Sequence, residues 1–181
     1  MYRRRHYAWS LFGQIVGKRR AKRLVIALLL AALGLGGGFF LRGKVIAVQD
    51  GDSLVILNSS FERERVRLYG VDCPEAKQSG GEDATAFTRS LALFQEVQLK
   101  VITHDQYKRA VALVTLPDGR SLNEELVRAG QAWVYDQYCD RPQCLAWRLL
   151  EKKARVDKRG LWAEQKPIPP WRWRHSSARN K

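Results

Sequence analysis

"GKVIAVQDGDSLVILN", residues 43–58, reads as two strands folded around a turn. Val45 and Ala47 before Asp50-Gly51, a hairpin-turn dipeptide, and Leu54 and Ile56 after it recur at every second position, as in half-buried strands. Working forward, "ERVRLYGV" is a third strand, with Val66 and Leu68 on one face and Arg65 and Arg67 on the other. Pro74 ends it, because a proline cannot donate to the ladder.

"SGGEDATAFTRSLALF" predicts a helix, with Ser79 and Glu82 in a capping-box pattern and Ala84, Phe87, Leu91 and Phe94 at helical spacing. "VQLKVI" and "RAVALVTL" predict strands four and five, and Pro117-Asp118-Gly119 turns the chain back. "NEELVRAG" predicts a short helix capped by Asn123 and closed by Gly130. "QCLAWRLLEKKARVDKRG" predicts a third, with Ala146, Leu149, Leu150 and Ala154 facing inward. The expectation is an α+β, mainly β fold: a five-stranded Greek-key barrel of the OB type with about three helices.

Working backward from Gly43, Leu24–Leu41 is uncharged over 18 residues. At about 1.5 Å per residue it spans about 27 Å, close to a bilayer's hydrocarbon thickness. Eight basic residues and no acid precede it, which predicts a cytoplasmic N-terminus and an exported remainder. The expected organisation is a basic segment at 1–23, a transmembrane signal anchor at 24–41, the OB domain at 43–166 and a Pro/Trp/Arg-rich tail at 167–181. A cleaved signal peptide is the competing reading of 24–41. The tail is expected to be partly ordered, with one Trp docked on the domain.

The net charge is +14, and the first 23 residues hold +8 of it, leaving +6 for the rest. That balance suits phosphate-rich partners but is moderate for the folded part. Of the three cysteines, Cys139 and Cys144 lie in "YCDRPQC", and export would favour a disulfide between them. The spacing and the lack of a nearby His argue against zinc.

Asp52, Asp72 and Glu75 lie at strand ends that meet if the first three strands are neighbours. Three carboxylates in one pocket repel unless a cation joins them, and oxygen donors suit Ca²⁺ or Mg²⁺. Arg67 and Arg109 would clamp a phosphate. Strict alternation puts Arg67 and Asp72 on opposite faces, so a shared site requires a bend near Gly70. Ser53 has no evident base, and His104 beside Asp105 reads as a solvated pair.

These motifs, "DGDS", "RLYGVDCPE" and "DQYKRAVALV", in this order and spacing resemble the staphylococcal nuclease (thermonuclease) family over about residues 43–164. The resemblance implies an OB-fold enzyme that binds Ca²⁺ and hydrolyses DNA and RNA to 3′-phosphates; the domain by itself is sufficient as a monomer. By matching position, Asp52, Asp72 and the backbone carbonyl of Cys73 would hold the metal. Glu75 would act on the attacking water, Arg67 and Arg109 on the scissile phosphate, and Tyr107 on the substrate. Lys108 replaces a glycine of the best-known member, and Gln106 a basic residue. The alternative is a catalytically silent nucleic-acid-binding OB module on the membrane.

Overall fold

A computed structural model describes residues 40–179. Positions 24–39 of the expected anchor lie outside them. Its last two residues, Phe40 and Leu41, instead open strand β1 (Phe40–Asp50). Among the described residues, no helix is long and apolar enough to cross a membrane.

The chain forms β1, β2 (Ser53–Asn58), β3 (Arg63–Leu68), β4 (Val71–Asp72), helix α1 (Gly81–Ala92), β5 (Glu96–His104), β6 (Ala110–Thr115), α2 (Leu122–Arg128), β7 (Trp133–Val134), α3 (Gln143–Val156) and α4 (Pro170–Arg179). Five strands close a barrel in the order β1-β2-β3-β6-β5, and β4 pairs with β7 beside it. All barrel pairings are antiparallel except β3 with β6. Val45, Leu54, Ile56, Val66, Leu68, Val97, Leu99, Ala112 and Val114 fill the interior. Each alternates with an outward residue, the period that a barrel wall requires. Arg63, Arg65 and Arg67 therefore project from the outer wall of β3.

Three local expectations need correction. The cap of α1 is Gly80, in the left-handed region, with no side-chain cap bond, while the Ser79 hydroxyl donates to Glu164. The cap of α2 is Ser121, whose side chain accepts from the Glu124 N–H. Asn123 is buried instead: its Oδ1 accepts from Val114 N–H at 3.0 Å, and its Nδ2 donates to the Tyr69 carbonyl at 3.0 Å. The inward face of α3 is Cys144, Trp147 and Ala154, with Leu150 packed beside them. Ala146 and Leu149 face solvent, Leu149 at 65% exposure. A disulfide from Cys139 to Cys144 and the bulk of Trp147 set that rotation.

Candidate active site

The turn after β1 is held from two sides. Thr88 of α1 donates to the Gly51 carbonyl at 2.6 Å, and Leu68 N–H donates to the Asp52 carbonyl at 2.8 Å. Gly51 is required by crowding: a Cβ there would lie 2.7 Å from Cys73 Cβ and 2.9 Å from Ala84 Cβ. The turn thus delivers Asp52, only 1% exposed, to the end of β3.

The expected bend lies at Gly70. Its φ of +70° suits a residue without Cβ, and a Cβ would meet Cys139 Sγ at 2.7 Å. The chain reverses there, so β4 brings Asp72 back to Arg67 although strand alternation alone would separate them.

The result is a compact charged cluster. Arg67 donates through Nη1 to Asp52 Oδ1 and through Nη2 to Asp72 Oδ1. Asp52 also accepts from Cys73 N–H at 2.7 Å and from the Ser53 hydroxyl at 3.2 Å. Asp72 is fully buried. Burial pushes the Asp52 carboxyl up to about 8, against the pull of Arg67. Burial works against the Arg67 charge as well, but Asp52 and Asp72 more than offset it and hold the guanidinium protonated.

Glu75 sits at the rim, with 38% of its side chain exposed. Its backbone is locked by Gln78, whose N–H donates to the Glu75 carbonyl at 2.8 Å. Gly81 lies directly beneath, where a Cβ would come within 2.0 Å of that carbonyl.

A residue not assigned from sequence completes the cluster. Arg174, from α4, donates through Nη2 to Asp72 Oδ2 at 2.9 Å and through Nη1 to Glu75 Oε1 at 2.7 Å. Its helix is seated by Trp171, whose ring stacks on Tyr135 at 5.0 Å and meets Trp133 edge-on at 5.7 Å. The "WRWR" alternation was the only sequence signal for it.

Arg109 and Tyr107 stand apart from the cluster. Arg109 Nε donates to Asp105 at 2.6 Å, and its guanidinium lies 5.5 Å from the centre of the exposed Tyr107 ring. No hydrogen bond among the described residues joins Arg109 to Asp52, Asp72 or Glu75. Asp105 also accepts from Tyr107 N–H and Arg109 N–H, both at 2.9 Å, so it organises this turn rather than pairing with His104. Lys108 takes a φ of +60°, where glycine would be unstrained.

The donor set fits a hard cation. Two buried carboxylates and the neighbouring main-chain carbonyl of Cys73 are all oxygens. Burial pushes the Cys73 thiol well up, so it stays protonated and offers no thiolate. Among the described residues, no three acidic, His or Cys side chains are already spaced around a metal. Guanidiniums occupy the inward carboxylate edges instead.

Residues 65–164 match the family model described as staphylococcal nuclease homologue. An uncharacterized endonuclease of Escherichia coli O157:H7 is 40% identical over 135 residues, covering 75% of this chain and 86% of that protein. The micrococcal nuclease of Shigella flexneri is 32% identical over 165 residues, covering 87% and 94%. With the closed barrel and the carboxylate–arginine cluster at its rim, these matches show that the chain belongs to the staphylococcal nuclease homologue family and is a nucleic-acid hydrolase.

Proposed function

We propose that the protein is a calcium-dependent nuclease that hydrolyses phosphodiesters of DNA and RNA, leaving 3′-phosphate and 5′-hydroxyl ends. The observation that carries this reading is Arg67 bridging two buried carboxylates beside the half-exposed Glu75. Asp52, Asp72 and the Cys73 carbonyl are the residues suited to hold the cation, which supplies positive charge to the phosphate oxygens when bound.

This chain's own groups do the rest. Glu75 accepts a hydrogen bond from the attacking water and takes its proton as the new P–O bond forms, while the P–O5′ bond breaks and O5′ leaves with the bonding pair and takes a proton from solvent. A carboxylate is a weak base at neutral pH, so proton transfer to Glu75 supplies only part of the rate enhancement. Guanidiniums must then supply much of the stabilisation of the extra charge on the pentacovalent phosphorus. Arg67 is at hand for this. Arg109 serves it by swinging from Asp105, an exchange of one anion partner for another. Tyr107, exposed beside it, contacts the strand next to the scissile phosphate.

The same reading places the enzyme outside the cytoplasm, tethered by residues 24–41 or released from them. The Cys139–Cys144 disulfide supports an oxidising compartment. The same reading has the enzyme act as a monomer.

End-group analysis of DNA and RNA digests tests the proposal. Digestion in calcium, absent with chelator, should give ends that phosphatase must treat before 3′ labelling and that kinase labels directly at the 5′ side. Ends carrying 5′-phosphate would refute the cleavage chemistry. Equal rates in chelator would refute the metal requirement.

A further inference from the structure

The strongest feature outside the assigned machinery is the seat of α4 in the cleft. We propose that α4 is an intramolecular ligand of the active site, in which Arg174 stands in for the divalent cation and must leave before the cation enters. The inference rests on reading Asp52, Asp72 and Glu75 as the catalytic carboxylates.

The geometry carries it in three ways. First, Arg174 takes the edge that a metal needs. Its Nη1 lies 3.2 Å from Asp72 Oδ1 and its Nη2 lies 2.9 Å from Asp72 Oδ2, while Nη1 also reaches Glu75 Oε1 at 2.7 Å. With Arg67 on Asp72 Oδ1 as well, both oxygens of that buried carboxylate have guanidinium partners.

Second, the charges balance without a metal. With Arg174 seated, Asp72 and Glu75 already have a cationic partner on their open edges. A divalent cation bound at Asp72 would sit against Arg174 with like charge in a poorly screened site, so the two occupants exclude each other. Without Arg174, Asp72 keeps Arg67 on one oxygen only and Glu75 loses its guanidinium partner, which opens both carboxylates to a cation.

Third, the plug is attached by contacts that can be undone. Trp171 lies flat on Tyr135, with an interplanar angle of 1°, and Gln78 Nε2 donates to the Ile168 carbonyl at 2.5 Å. Arg172, Arg174 and His175 of α4 are exposed, and 41% of the Arg174 side chain meets solvent. A short helix held through one Trp, stacked on Tyr135 and edge-on to Trp133, with an exposed basic face is suited to release, and nucleic-acid phosphates would draw that basic face away.

Calorimetric titration of the full-length chain with calcium chloride tests this, comparing wild type with Arg174→Ala, Trp171→Ala, Arg172→Ala and Asp72→Asn. A docked plug lowers apparent affinity by the fraction of open protein, so Arg174→Ala should bind calcium about tenfold tighter or more. Trp171→Ala, which loosens the seat without touching a carboxylate, should tighten binding by an intermediate factor. Arg172→Ala removes an equal charge from the same helix and should match wild type.

If Arg174→Ala and Trp171→Ala bind no tighter than Arg172→Ala, while Asp72→Asn binds nothing, the plug is refuted and the catalytic reading stands. If Asp72→Asn binds calcium as wild type does, the carboxylate reading falls and the plug with it. Should Arg174→Ala fail to fold, Trp171→Ala decides the matter alone.

Discussion

Arg67→Met isolates the charge balance of the cluster. Methionine keeps much of the stem's volume but removes the fork that joins Asp52 to Asp72. The two carboxylates are not equally exposed to the loss. Asp72 retains Arg174, whereas Asp52 keeps only the Cys73 N–H and the Ser53 hydroxyl. Removing one partner of a buried ion pair costs about 3–5 kcal/mol, and the surviving partners place this case near 3. Asp52 can escape the penalty by holding a proton, as its carboxyl already does up to about pH 8. The loss should therefore be about 3 kcal/mol at pH 9 and smaller by about 1–2 kcal/mol at pH 5. Urea unfolding of the metal-free protein at both pH values, followed by tryptophan fluorescence, measures it. A loss under about 1 kcal/mol at pH 9, or a larger loss at pH 5 than at pH 9, would refute the reasoning.

Three further outcomes are expected. The unfolded chain ionises Asp52 near 3.8 and the folded one near 8, so between those values the unfolded state is the more ionised. Rising pH should then drain stability from the metal-free protein by at most about 1.4 kcal/mol per unit, a slope that unfolding of Asp52→Asn should lack. Asn123→Ala orphans the buried Val114 N–H and Tyr69 carbonyl and should cost about 3 kcal/mol in denaturant titration. A cost below about 1 kcal/mol would show that water replaces the side chain. Gly81→Ala pushes on the Glu75 carbonyl from 2.0 Å, so kcat should fall about tenfold while the carboxylates remain unaltered; an unchanged kcat would mean that this backbone does not aim Glu75.

The barrel was legible in the sequence because most of each wall strand alternates and each turn carries its own residues, as at Asp50-Gly51; a bulge in β1 breaks the period, so that Val48 rather than Ala47 joins Val45 in the core. The meeting of Asp52, Arg67 and Asp72 was legible only on condition of a bend, and Gly70 marked where it had to be. What escaped was set by contacts distant in the chain. Arg174 reaches Asp72 across 102 residues, which no local pattern can express. The face of α3 turned on a disulfide and on Trp147 rather than on its leucines. Asn123 looked like a cap because caps are its commonest use near a helix start, yet its amide was needed between β6 and the Tyr69 turn.

The central claim is that the carboxylate–arginine cluster hydrolyses the phosphodiester and that Glu75 is the group facing the water. The rate of acid-soluble nucleotide release by full-length Glu75→Gln, at saturating DNA and calcium, tests it most directly. The substitution keeps shape and an acceptor oxygen but cannot take a proton. A fall in kcat of about 100-fold or more, with DNA binding retained, is predicted. A rate within about twofold of wild type would contradict the account and move the chemistry away from Glu75.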